Sequence, residues 1–86
     1  MIISMKPLLE RIMIVENDPE IIDLITRQTL QAMGYRVEVV QGAPIALQEA
    51  ARFSPDLIIA NLHLPGLSGK DLIVGLSAQG LDIPVI

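Results

Sequence analysis

The sequence predicts an α/β fold in which an open parallel sheet carries helices on both faces, in the order βαβαβαβ. Three observations lead there. Ile12-Met13-Ile14-Val15 and Leu57-Ile58-Ile59-Ala60 are unbroken aliphatic runs, too short for buried helices and right for strands covered on both sides. Between such runs lie stretches with apolar residues three and four apart, the spacing of a one-sided helix. The connections are short, and right-handed crossovers between parallel strands then leave few other topologies.

At 86 residues the chain makes one small domain, near the size where a single core begins to suffice. It is 51% hydrophobic with one Tyr, one Phe and no Trp, so the core must be aliphatic. A net charge of −4 with six Lys+Arg argues against nucleic-acid binding, which needs a basic patch. The absence of Cys removes disulfides, thiolate chemistry and Cys-type zinc sites, and fits a cytoplasmic setting. No apolar run reaches the roughly 18 to 20 residues of a membrane span. Lys6 and Pro7 interrupt the apolar start before a signal-peptide core forms. Residues 1–10 are read as an N-terminal extension and 11–86 as the domain.

The first strand runs from Arg11 to Val15, with Glu16-Asn17-Asp18 at its C-terminal end. Asp18 followed by Pro19 reads as an N-cap and a proline at the first helical position, where its missing N–H costs nothing. Glu20 in the first turn suits the helix dipole. Ile21, Ile22, Ile25, Thr29, Ala32 and Met33 form the expected inward stripe, and Gly34 ends the helix. Val37, Val39 and Val40 mark a second strand, broken by Gln41, Gly42 and Pro44. A shorter helix over 44–52 offers Ile45, Leu47, Ala50 and Ala51 to the core, with Phe53 behind it. The third strand follows Pro55 and Asp56 and ends at Asn61. Ser68 or Gly69 opens a third helix with Leu72, Ile73 and Leu76 facing inward, ending near Gly80. Ile83-Pro84-Val85-Ile86 is the expected fourth strand, with Pro84 at its beginning.

Ligands of open α/β sheets bind beyond the carboxyl ends of the strands, where the strand order reverses. In a flavodoxin-like three-layer order 2-1-3-4 the first and third strands are neighbours, so Glu16-Asn17-Asp18 and Asn61 fall at one rim. With these come Ile12 to Pro19, Gly34-Tyr35, Pro55 to Ile59, Leu64-Pro65-Gly66-Leu67-Ser68-Gly69, Leu72 and Ile83 to Ile86. In this order and spacing they resemble the receiver domain of two-component response regulators. The Leu-Pro-Gly-x-Ser-Gly element after a Pro-Asp-Leu-Ile strand is the most specific of them.

The resemblance implies a site as well as a fold. In the family an acidic pair after the first strand and an aspartate after the third hold Mg²⁺, and that aspartate accepts a phosphoryl group. Carried over, the pair falls on Glu16 and Asn17, beside Asp18. The acceptor falls on Asn61, and His63 holds the position that lends a backbone carbonyl to the metal. The family's Ser/Thr and Lys contacts, and its last helix-strand-helix, would lie beyond Ile86, so the domain reads as truncated. A carboxylate oxygen is an anionic nucleophile and a hard ligand for Mg²⁺, whereas an amide oxygen is neutral and weakly nucleophilic. The resemblance therefore implies a non-enzymatic pseudo-receiver, an interaction module of phosphorelay signalling. Uncovered aliphatic surface and an unpaired last strand would lead it to a homo-oligomer or a covering protein partner, with Ile83, Val85 and Ile86 as interface candidates.

Plainer readings stand beside these. Asn61 alone is a rim amide capping the following turn, and Asp18 alone is an N-cap. Cation binding by Glu16 with the amide oxygens of Asn17 and Asn61 would be weak, so no cofactor is expected. Two other functions remain open: a fragment of a longer regulator, or phosphoryl acceptance at an unorthodox residue such as His63 or Asp56. Asn61-x-His63-x-x-Gly66 also resembles a cobalamin-binding signature. There an Asp stands where Asn61 does, and the rest of that pattern is out of place.

Overall fold

The computed structural model describes residues 10–61, 63–64, 66 and 68–86, with the backbone alone at Ala43. The expected extension over 1–10 therefore lies outside the described residues except for Glu10. Strands β1 (Arg11–Val15), β2 (Arg36–Val40) and β3 (Leu57–Ala60) form a parallel sheet in the order β2-β1-β3. Helices α1 (Pro19–Ile25), α2 (Ala43–Phe53) and α3 (Gly69–Ala78) supply the crossovers. The predicted α/β class, parallel sheet and strand neighbours are all present.

The pairing register shows how the strands serve two faces. Met13 lies between Glu38 and Ile58, and Val15 between Val40 and Ala60. Side chains alternate along a strand, so this row shares one face. It packs with Ala46 and Ala50 of α2 and Leu72 and Leu76 of α3 into the buried core, joined by Leu64. The opposite face carries Val37-Ile12-Leu57 and Val39-Ile14-Ile59. On it only the central Ile12 and Ile14 are buried, and the four flanking residues are half-buried.

The fourth strand is shorter than the sequence suggests. The segment 83–86 lies parallel beside β3, as the order 2-1-3-4 requires, but its pairing reduces to one bridge, Ile58 with Val85. Ile58 N–H donates to the Pro84 carbonyl, Ile86 N–H to Ile58, and Ala60 N–H to Ile86, each at 2.9 Å. Pro84 has no N–H to extend the ladder.

Helix phases differ from the sequence reading in three places. After Ile25 the first helix widens into a π turn over Thr26–Leu30 and tightens into a 3₁₀ turn over Gln31–Met33. The Thr29 hydroxyl donates to the Leu24 carbonyl five residues back, at 3.0 Å. A wider turn rotates less per residue, so three- and four-residue spacing no longer returns to one face. Thr26 is buried instead of Thr29, and Ala32 and Met33 are exposed. In α2 the small Ala46 faces the sheet while Ile45 and Ala51 face water. In α3 Leu72 and Leu76 are buried but Ile73 is exposed. A Cβ on Gly75 would come within 2.7 Å of Leu47 Cδ2, so the missing side chain lets α3 close on α2.

The ends of the elements follow the sequence closely. Asp18 Oδ1 accepts from the N–H of Glu20 at 2.9 Å, capping α1. Ser68 Oγ accepts from the N–H of Asp71 at 3.3 Å, capping α3. Gly34 at φ +93° and Gly80 at φ +74° take the left-handed conformation that glycine allows at helix ends. Among the described residues no helix is long and apolar enough to cross a membrane.

Candidate functional site

The parallel register places the C-terminal ends of β1 and β3 side by side, and the ladder continues one residue past each. Glu16 N–H donates to the Val40 carbonyl at 3.0 Å, and Asn61 N–H to the Val15 carbonyl at 2.9 Å. Both residues are thus held by backbone bonds before their side chains are considered. Sequence reasoning put them at one rim, and the structure puts them in contact.

Glu16 is buried, at 6% exposure, and its Oε1 takes three donors. They are the N–H of Asn17 at 2.9 Å, the N–H of Asp18 at 3.2 Å and the side-chain Nδ2 of Asn61 at 3.2 Å. Burial alone pushes the Glu16 carboxyl up. The Asn17 N–H, the Asn61 amide and the Asp18 N–H together outweigh it and hold the group below its ordinary range. Neutral donors are thus enough to keep Glu16 ionised inside the rim.

Asn61 is engaged at both ends of its amide. Its Nδ2 meets Glu16, and its Oδ1 accepts from the N–H of His63 at 2.9 Å. The hydrogen-bond network fixes this orientation, because a flipped amide would set its oxygen against a carboxylate and its NH₂ against an N–H. The Oδ1 to His63 contact is the short turn expected of a rim asparagine. The Nδ2 to Glu16 contact was not legible in the sequence, since the partners are 45 positions apart.

The remaining candidates are distributed around this pair. The side chains of Asn17 and Asp18 are exposed; their backbone N–H groups serve Glu16, and the Asp18 carboxylate caps α1. His63 is exposed, and Gly66 turns the chain at φ +75°. Pro65 lies outside the described residues. Ile83 and Val85 are half-buried against the core, whereas Ile86 is 72% exposed. Among the described residues, no three His, Cys, Asp or Glu side chains gather closely enough to hold a metal ion.

Asp56 belongs to the other rim. It precedes β3, and its Oδ2 accepts from the N–H groups of Glu10 and Arg11, each at 2.9 Å, while its own N–H donates to the Arg11 carbonyl at 2.8 Å. This carboxylate ties the start of β1 to the start of β3, a role the sequence reading missed. An acidic residue directly ahead of a strand was the available signal.

Known proteins resemble this chain in sequence and overall fold. The chain is 35% identical over 75 residues to the transcriptional regulatory protein KdpE of Mycobacterium tuberculosis, covering 87% of this chain and 32% of that protein. It is 30% identical over 78 residues to the two-component response regulator ARR14 of Arabidopsis thaliana, covering 88% of this chain and 20% of that protein. The chain therefore spans a third or less of either relative's length. Among solved structures, the N-terminal domain of the nisin resistance regulator NsrR superposes with a TM-score of 0.72 at 32% identity, covering 88% of this chain and 62% of that one. The anti-anti-sigma factor PhyR of Bartonella quintana, solved with the anti-sigma factor NepR, gives 0.69 at 28% identity, covering 91% of this chain and 32% of that one. The response regulator receiver domain family matches residues 12–86, and with the parallel sheet and its paired rim this chain belongs to that family.

Proposed function

We propose that this chain is a pseudo-receiver: a protein-interaction module of two-component phosphorelay signalling that accepts no phosphoryl group at Asn61 and performs no catalysis. The observation that carries this reading is the Asn61 amide, spent at both ends on Glu16 and His63. Phosphoryl acceptance asks for an anionic oxygen nucleophile, whereas the amide oxygen is neutral and weakly nucleophilic and the amide nitrogen's lone pair is delocalised into the carbonyl. The donor set also disfavours Mg²⁺, which prefers carboxylate oxygens and keeps its waters. A cation beside Glu16 Oε1 would have to displace an NH₂ group, and the Asn61 oxygen is turned toward a backbone N–H.

Protein partners are the expected readers of such a module. PhyR, a structural neighbour, is solved in complex with another protein. The chain's net charge of −4 suits a protein partner better than nucleic acid, and a cytoplasmic setting fits two-component signalling. The domain is taken as 11–86. Its association surfaces are the half-covered sheet face and the 83–86 edge, through Ile83, Val85 and Ile86. Of the alternative phosphoacceptors, Asp56 fits less well, because it sits at the opposite rim with its carboxylate engaged. A second reading, a piece of a longer regulator, is favoured by the small share of each relative that the chain covers.

The test is incubation of the full chain with a small-molecule phosphodonor and Mg²⁺, followed by intact mass. The expected spectrum is unchanged. A phosphoryl adduct on any residue would overturn the reading, and its position would name the acceptor.

A further inference from the structure

We propose that β2 is a self-pairing edge: a second copy of this chain adds its own β2 antiparallel, with Arg36 of each chain set against Glu38 of the other. This rests on the reading that the module works through protein association, and it adds a contact apart from the half-covered sheet face and the 83–86 edge.

The backbone specifies the kind of occupant. Among the described residues β2 ends the sheet, with β1 on its inner side. Arg36 N–H donates to the Glu10 carbonyl and the Val40 carbonyl accepts from Glu16 N–H, each at 3.0 Å, so Arg36, Glu38 and Val40 bond toward β1. Backbone groups alternate sides along a strand, which turns the N–H and C=O of Val37 and Val39 to the open side. An extended strand answers donors and acceptors at that spacing. No proline interrupts β2, and its register with β1 is unbroken from Arg36 to Val40.

The side chains choose the occupant and its register. Arg36 is exposed, makes no ion pair among the described residues, and stands directly opposite Arg11 in the sheet, where like charges repel. Glu38 shares Arg52 with Glu49, two carboxylates to one guanidinium. Its Oε1 takes Arg52, while its Oε2 is buried with no hydrogen-bond partner. A carboxylate has room for more donors than that. Each β2 thus carries a cation without an anion and an anion short of donors, at alternate positions on one face. A two-fold axis at Val37 sets Arg36 against the partner subunit's Glu38, and the same contact recurs by symmetry. That axis also makes Val37 and the partner subunit's Val37 a doubly hydrogen-bonded pair. On the opposite face it sets Tyr35 against the partner subunit's Val39, an aromatic side chain on a β-branched one. Moving the axis to Glu38 opposes the two glutamates, and moving it to Val39 leaves both charges opposite uncharged residues. The net charge of −4 on each chain opposes pairing at long range, but salt at about 0.1 M screens charges beyond about 10 Å.

Sedimentation velocity on the full chain tests both the edge and the register, with circular dichroism confirming that every variant is folded. The unaltered chain is expected to dimerise as its concentration is raised well above the micromolar range. Val37→Pro removes an outward donor and no bond to β1, so it stays folded and monomeric. Arg36→Gln and Glu38→Gln each weaken the dimer about tenfold, counting the two symmetric contacts. The double variant is no weaker than either single one, because both remove the same contact. This glutamine pair decides the register without touching the backbone. A wild-type chain that stays monomeric overturns the proposal, as do losses that add in the double variant. A Val37→Pro dimer as tight as wild type also overturns it, and association then runs through another surface. The phosphodonor experiment reads mass and this one reads association, so either reading can fail alone.

Discussion

Replacing Asn61 by Asp is the most direct perturbation of the rim. The amide Nδ2 now stands 3.2 Å from Glu16 Oε1. In Asn61→Asp that donor becomes a second carboxylate oxygen, and two unit charges at 3.2 Å repel by about 1 kcal/mol in water and about 5 kcal/mol at an effective dielectric of 20. Rotation of the new side chain and solvent entry relieve part of this, so a loss of about 1–3 kcal/mol is expected at neutral pH. Urea unfolding in the presence of a chelator measures it. The pH dependence has a definite sign. Repulsion raises the pKa of one carboxyl of the folded pair above its unfolded value, so the penalty is absent at acidic pH and grows as the pH rises. Mg²⁺ should restore stability to Asn61→Asp by bridging the two carboxylates, while leaving the wild-type chain unmoved. If the variant equals wild type in chelator at neutral pH, and Mg²⁺ shifts neither, the contact between Glu16 and Asn61 does not hold this rim.

Three other expectations follow from separate parts of the molecule. Glu16→Gln should cost about 1 kcal/mol at neutral pH, the difference between charged and neutral acceptors. The wild-type carboxyl is held below its unfolded value near 4.5, so its contribution is present above that pH and fades as acid is added. The gap between wild type and Glu16→Gln in acid titrations should therefore narrow on the acidic side. Asp56→Ala strips the acceptor from two part-buried N–H groups and should cost about 1–3 kcal/mol by urea unfolding, with Asp56→Asn recovering part of it. Leu72→Ala opens a cavity at a fully buried position between α3 and the sheet and should cost about 2–5 kcal/mol in the same assay.

The sequence alone determined the order and kind of the elements, because short aliphatic runs, Asp18-Pro19, Gly34 and Ser68 act within a few residues of themselves. Hydrophobic pattern and capping chemistry are local, and parallel strands joined by short crossovers leave few arrangements. It also determined that Glu16 and Asn61 end adjacent strands, and that an amide stands at the third strand's rim. Tertiary structure decided what that amide does. Side-chain contacts across 45 residues depend on register, so the Asn61 bond to Glu16, and the use of Asp56 to clamp two strand starts, could not be read from spacing. Helix phase was decided there as well. The π turn at Thr26–Leu30 shifts the buried stripe, and Ala46 faces the sheet in place of Ile45. Periodicity assigns an apolar face to a helix, but only packing against the sheet determines which residues that face buries.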